Sequence, residues 1–98
     1  MQTFILMTKL SPETAKQVKK RKKLGHAWLD QVHDKCPDVK FVSHYALLGE
    51  WDFMDIYEAP DQETAARVAM ISLQNGAFSA ATWNAIPYQR FVELAESV

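Results

Sequence analysis

A histidine and an aspartate near the middle of the chain carry the side chains best suited to chemistry. His44 and Asp55 lie on two stretches whose alternating apolar and polar residues predict the strands of a β-hairpin. A two-residue turn at Gly49-Glu50 would place them directly opposite each other on one face of that hairpin. A carboxylate beside an imidazole fixes its tautomer and raises its basicity, as a general base requires. The pair is therefore the candidate catalytic group, with His44 as the base and Asp55 orienting it.

Aromatic side chains share the face of this predicted pair. Trp51, Phe53 and Tyr57 alternate along the second strand, where they are candidate ligand-binding residues. Aromatic walls would bind a flat apolar substrate and exclude water. The same register places Val42 on this face and Phe41 on the other, and we expect the face with His44 to be the one that helices leave open. The alternative is a structural polar pair inside or beside a dimer interface, since structural pairs also perturb histidines.

Other charged residues have both a functional and a structural interpretation. Asp52 and Glu58 share a face and could bind a ligand, act as acid and base, or pair with Lys22 or Arg21. Alternatively Asp52 is a turn residue and Glu58 stabilises a helix end. Lys22, if it points inward, would bind an anion or form a Schiff base. In the structural interpretation, the aliphatic part of the Lys22 side chain packs on the core and its ammonium group stays in water.

Sequence features that would indicate a cofactor, a metal or a nucleic acid are missing. The chain has no phosphate loop and no dinucleotide fingerprint, so no cofactor is predicted. His26 and His33 are about two helical turns apart, too far to bind one metal ion together. The basic run Lys19–Lys23 contains no aromatic residues for base stacking and is balanced elsewhere by acidic residues. It predicts a solvated helix face.

Length and composition describe one small domain, residues 1–98. Eleven basic and twelve acidic residues give a formal net charge of -1, which favours neither nucleic acid nor an anionic membrane. The single cysteine, Cys36, excludes an internal disulfide. No signal peptide and no apolar stretch of about 20 residues is present. We therefore expect a cytoplasmic location.

The order of the predicted elements is strand, helix, strand, strand, helix, strand. The predicted bounds are a strand at 3–8, a helix from Ser11 to about Cys36, the hairpin at 39–58, a helix from Asp61 to Asn75-Gly76, a strand at 78–86 and a short C-terminal helix at 88–98. This βαββαβ order is the ferredoxin-like α+β arrangement, in which two helices cover one face of a four-stranded antiparallel sheet. The first strand is apolar on both faces, so we expect the open face to form a homodimer.

The hairpin also resembles a known family. The runs Leu48-Gly49-Glu50-Trp51-Asp52 and Glu58-Ala59-Pro60-Asp61 are spaced as in the GYD family of small bacterial and archaeal proteins. Trp51 stands where that family has its name-giving tyrosine, and the last strand begins with apolar residues where relatives tend to have polar or basic ones. The resemblance implies a dimeric α+β barrel, a group that includes ligand-sensing modules, cofactor-free monooxygenases and small isomerases.

Three functions are compatible with this sequence. The first is a homodimer, or a higher oligomer, that binds a small molecule between sheet and helices or at the dimer interface. A regulatory or sensor module is one such protein. The second is a cofactor-free monooxygenase or isomerase that uses His44 and Asp55. The third is a structural or interaction protein whose sheet docks another subunit. Only the first two require a cavity, and only the second requires a reactive group beside it.

Overall fold

The strands and helices follow the predicted order, except that two helices stand where one was predicted between the first two strands. The computed structural model describes all 98 residues, Met1–Val98. Its elements are β1 Gln2–Leu10, α1 Pro12–Ala15, α2 Arg21–Lys35, β2 Lys40–Ala46, β3 Phe53–Ala59, α3 Gln62–Gln74, β4 Ala77–Ala85 and α4 Tyr88–Glu96. The strands form one antiparallel sheet in the order β2-β3-β1-β4, which confirms the ferredoxin-like α+β fold. None of the helices is both long and apolar enough to cross a membrane.

Side-chain caps start the helices that follow β1 and β3. The Ser11 hydroxyl accepts a hydrogen bond from the Thr14 backbone N–H at 3.2 Å, and Pro12 occupies the first helical position. Asp61 Oδ1 accepts from the backbone N–H and the hydroxyl of Thr64, at 2.8 Å and 2.7 Å. These hydrogen bonds stabilise the charged carboxylate and lower the pKa of Asp61. Both predicted helix starts are confirmed.

The long helix predicted from Ser11 to about Cys36 is divided in the structure. α1 ends after one turn, a 3-10 turn follows at Val18–Lys20, and α2 begins at Arg21. The division falls at the start of the basic run, where like charges three and four residues apart oppose a continuous helix. α2 is consequently a separate helix whose first residue is a cation.

The core lies between α2, α3 and one face of the sheet. That face carries Phe4, Leu6, Asp55 and Tyr57, all of which are buried. The face of His44 and Asp55 is thus covered by helices, and the prediction that it is the open face is wrong. Both faces of β1 are apolar, so alternation shows which residues share a face but not which face receives the helices.

The hairpin has the predicted register but a longer connection. His44 is paired with Asp55 as predicted, yet the strands end at Ala46 and Phe53 and a six-residue segment joins them instead of a two-residue turn. The register shifts between Phe41 and Ser43, which makes Val42 a β-bulge. Phe41 therefore pairs with Tyr57 and packs against the core, opposite to its predicted face, while Val42 is 58% exposed.

Two apolar surfaces receive no cover from the chain itself. The open face of the sheet carries Ile5, Ile56 and Trp83 in one cross-strand row, and Tyr45 and Met54 in the next, where their neighbour Met7 is buried. The second surface is α4, whose apolar side chains remain exposed, including Tyr88, Phe91 and Leu94. The radius of gyration is 14.7 Å, whereas a compact chain of this length has about 13 Å. α4 extends away from the body of the molecule.

Two glycines are expected to respond oppositely to alanine. Gly76 ends α3 with φ 97°, and a Cβ there would lie 2.6 Å from Thr14 Oγ1. Gly76→Ala should therefore lower the free energy of unfolding by about 1–3 kcal/mol. A Cβ on Gly25, inside α2, meets no atom within 4 Å, so Gly25→Ala should raise it by about 0.5–1 kcal/mol. Urea unfolding measures the free energy of unfolding of both variants. The same change in both would contradict the different environments described for Gly76 and Gly25.

Candidate functional site

A cavity lies between α2 and the helix-covered face of the sheet. It has a volume of about 430 Å³, and its walls include Arg21, Trp28, Phe41, His44, Phe53 and Asp55. A smaller space of about 40 Å³ adjoins it and reaches Ser72 and Asn75. Small-molecule sites are usually concave, mostly apolar and about 300–1,000 Å³ in volume. The main cavity has the size and the character of such a site.

The predicted histidine–aspartate pair forms inside this cavity. Asp55 Oδ1 is hydrogen-bonded to His44 Nδ1. The Asp55 side chain is 3% exposed, whereas that of His44 is 58% exposed because β2 is an edge strand. The pair therefore has a buried carboxylate at one end and an imidazole at the other that faces the open side of the cavity.

The carboxylate shifts the titration of the imidazole. Its hydrogen bond raises the pKa of His44, against the opposing effects of burial and of the positive charge of Arg21. The imidazole of His44 therefore keeps its proton to a higher pH than an ordinary histidine does. Nε2, on the opposite edge of the ring from Asp55, has no hydrogen-bond partner in the chain.

Aromatic rings surround the imidazole. The His44 ring stacks on Phe53 with a centroid separation of 5.6 Å and lies 6.4 Å from Trp28. Trp28 in turn lies 5.3 Å from Phe41. An imidazolium ion is attracted to such rings, and the remaining ring surface can hold a flat apolar group. The predicted aromatic wall is thus present, although Trp28 and Phe41 contribute to it where the sequence predicted Trp51 and Tyr57.

Trp28 is held in the cavity wall by the neighbouring helix. Its Nε1 donates a hydrogen bond of 2.8 Å to Ser72 Oγ on α3, and that hydroxyl donates to the carbonyl of Val68 at 3.2 Å. Trp28 was not among the predicted site residues because a tryptophan on an amphipathic helix is usually part of the core. The available signal is the spacing of seven residues between Arg21 and Trp28, which places both side chains on one face of a helix.

Arg21 is the second site residue that was not among the candidates. Its guanidinium carbon lies 5.0 Å above the centre of the Phe53 ring, a cation–π arrangement. Its Nη1 is buried without a hydrogen-bond partner, and none of the chain's ion pairs includes it. Arg21 is thus the residue of the basic run that lies along the packed face. Lys22 is exposed at the rim of the cavity.

The remaining predicted site residues lie outside the cavity walls. Asp52 holds the hairpin connection against β1, since its Oδ2 accepts from Leu10 N–H at 2.7 Å and its own N–H donates to the Thr8 carbonyl at 2.9 Å. Tyr57 is fully buried in the core, and burial raises the pKa of its hydroxyl above the ordinary range. Trp51 is half-buried within the connection. His44, Asp55, Phe53 and Lys22 are the predicted residues that the structure brings together.

Replacing Asp55 with asparagine should lower the pKa of His44. The wild-type pKa is raised above the ordinary value of about 6.5. The pair therefore stabilises the fold below that value, and this contribution is lost as pH rises through the folded-state pKa. An NMR titration of the histidine side chains measures the pKa of His44 in both proteins. Asp34→Asn, the same change at an exposed carboxylate, serves as the control, and an unchanged His44 titration in Asp55→Asn would contradict the assignment.

Comparisons with known proteins agree with this architecture. The "Glutamine synthetase and cystathionine beta-lyase binding protein" of Thermus thermophilus is 32% identical over 88 residues, spanning 89% of this chain and 90% of that protein. The crystal structure of FFRP-DM1 has a TM-score of 0.58 at 18% identity, covering 88% of this chain and 100% of the other. That of MtbAldR has a TM-score of 0.59 at 17% identity over 88% of this chain, which spans about half, 52%, of MtbAldR.

The two solved structures share the fold of this chain at low identity and indicate nothing beyond the fold. The family match is more specific, because the model of the GYD domain aligns with residues 4–95. The resemblance carried by the hairpin thus extends over nearly the entire sequence. This protein belongs to the GYD domain family.

Proposed function

We propose that this protein is a homodimer that binds a small molecule in the cavity between α2 and the sheet. The observation that carries the proposal is a cavity of about 430 Å³ in which aromatic walls meet a few polar groups. The polar groups are the side chains of His44, Asp55 and Arg21. Apolar walls supply affinity, while a small number of placed polar groups select the ligand and orient it.

The open face of the sheet supplies only part of the area that a dimer interface needs. Four strands spaced about 4.8 Å apart, with up to nine residues of about 3.3 Å each, present a face of roughly 500 Å². A stable interface buries about 800 Å² on each partner. The open face alone falls short of that area, so a dimer of ordinary stability requires a further contact surface.

α4 is suited to supply that surface. Its apolar side chains find no core within their own chain, where Tyr88 is 79% and Phe91 is 55% exposed. A monomer gains little from keeping such residues in water, whereas a second copy could cover them. In the proposed dimer the open faces pack together and each α4 lies along the partner.

Native mass spectrometry of the purified protein tests both parts of the proposal. We expect a dimer that carries additional mass, since a preformed cavity retains a tightly bound ligand. Ile56→Glu places a charge in the middle of the open face and should produce monomers. Met70→Glu introduces the same charge on α3, at a side chain that is 61% exposed, and should remain dimeric.

The outcomes separate dimerisation from ligand binding. If Ile56→Glu remains a dimer as Met70→Glu does, the open face is not the interface. Bound mass that persists when Phe53→Ala and Trp28→Ala remove two walls of the cavity would contradict the location of the ligand. A wild-type dimer without any added mass, together with no binding of supplied small molecules, would favour a purely structural role.

A second candidate function is the binding of another protein. The Thermus thermophilus relative is named as a binding protein of glutamine synthetase and cystathionine beta-lyase, and this chain exposes two apolar surfaces of the kind that mark protein contacts. Surface plasmon resonance of this protein against glutamine synthetase from its own source organism tests the second function. We expect binding by the intact chain and a loss of at least about tenfold for Phe91→Glu, which interrupts the apolar side of α4. Absence of binding would exclude this partner.

A further inference from the structure

We infer that the ligand of the cavity is a monocarboxylate with a flat apolar body, whose carboxylate binds between Arg21 and His44. The inference rests on the proposed small-molecule function and adds the chemical class of the ligand. It depends on three features of the cavity, which are a cation without a partner, a second cation held at a fixed orientation and an aromatic wall beside both.

Arg21 is the cation without a partner. Its Nη1 is buried and makes no hydrogen bond, although its guanidinium group stacks on Phe53. A buried donor that lacks an acceptor is costly, and unsatisfied groups in native proteins commonly mark a binding site. The fork of N–H donors on a guanidinium group matches the two oxygens of a carboxylate. A carboxylate oxygen would accept the hydrogen bond from Nη1 that no residue around the cavity accepts.

His44 is the second cation. Asp55 holds Nδ1, so the ring orientation is fixed and Nε2 is left to donate a hydrogen bond. The charged and titratable groups around it are Arg21, Lys22 and His26 on α2 and Asp55 on β3. With His44 protonated, the cationic side chains outnumber the single carboxylate, so the cavity attracts an anion.

The donors left free in the cavity suit a carboxylate better than a phosphate. Asp55 already occupies Nδ1 of His44, so the donors beside it are Nε2 of His44 and the guanidinium fork of Arg21. These few donors match the two oxygens of a carboxylate, whereas a phosphate has more oxygens than they can satisfy. Trp28, Phe41 and Phe53 provide ring surfaces for the rest of the molecule. The combination selects a carboxylate attached to an apolar, preferably planar, group.

Matched pairs of fragments test the chemical class. Phenylacetate, indole-3-acetate and hexanoate are each titrated into the purified protein alongside the corresponding primary amide, and inorganic phosphate is titrated separately. Chemical shifts of the Trp28 indole N–H and the His44 ring report on the cavity. Each carboxylate should bind at least about tenfold more tightly than its amide, because the amide loses the charge-assisted hydrogen bonds.

Variants test the two cations. Arg21→Gln should weaken binding of the carboxylates by about tenfold or more and leave binding of the amides nearly unchanged. Lys23→Gln removes the same charge from an exposed position on the same helix and should have little effect, since exposed charges are screened by salt. Binding should weaken as pH rises through the pKa of His44, and His44→Gln should abolish that pH dependence.

Three results would overturn the inference. They are equal binding of the carboxylates and their amides, tighter binding of phosphate than of any carboxylate, and no carboxylate binding at about 10 mM, a concentration above the Kd expected for fragments of this size. A neutral or cationic molecule retained by the purified dimer in native mass spectrometry would also exclude the carboxylate class. That last result would leave the proposed small-molecule function intact, so the two failures can be distinguished.

Discussion

The location of the cavity depends on a residue that does not line it. Asp52 accepts a hydrogen bond from Leu10 and donates one to Thr8, and its carbonyl accepts from Leu47 N–H at 2.8 Å. These bonds join the hairpin connection to both β1 and the end of β2. A slip of one residue between the strands would turn every side chain of β2 to the opposite face. The pairing of His44 with Asp55, and hence the polar end of the cavity, depends on this anchor.

The cavity itself results from uneven packing along α2. Val32, near the end of the helix, is fully buried, and Cys36 at its C-cap is buried in the same core. The first half of the helix contains Gly25, which has no side chain to fill the space, and begins with a charged residue. Gln31, next to Val32, donates a hydrogen bond to Gln74 and accepts one from Asn75, which fastens this end of α2 to the end of α3. The helix is thus packed at one end and separated from the sheet at the other.

Local sequence patterns predicted the elements well, and tertiary packing decided the rest. Caps such as Asp61, the glycine after α3 and strand alternation act within a few residues, so the elements and their order could be predicted. The pairing of His44 with Asp55 was predicted correctly although the assumed turn was wrong, because the six-residue connection keeps the same offset between the strands.

Other features depend on contacts between distant residues. The bulge at Val42 and the face of the sheet that α2 and α3 cover are fixed by packing that no local pattern encodes. Arg21 could not be separated from its cationic neighbours by spacing alone, since five adjacent basic residues point in every direction around a helix. Its role becomes visible only when the Phe53 ring lies beneath its guanidinium group.

The bulge at Val42 also affects how this protein can associate with itself. β2 is an edge strand, and a regular edge offers a row of free N–H and C=O groups to another strand. The extra residue interrupts that row, and Lys40 adds a positive charge beside it. At the other edge Pro87 lies two residues beyond β4, so it limits how far that edge extends but does not interrupt the strand. Backbone pairing with another copy is therefore disfavoured at the edge formed by β2, where copies that meet do so through side chains.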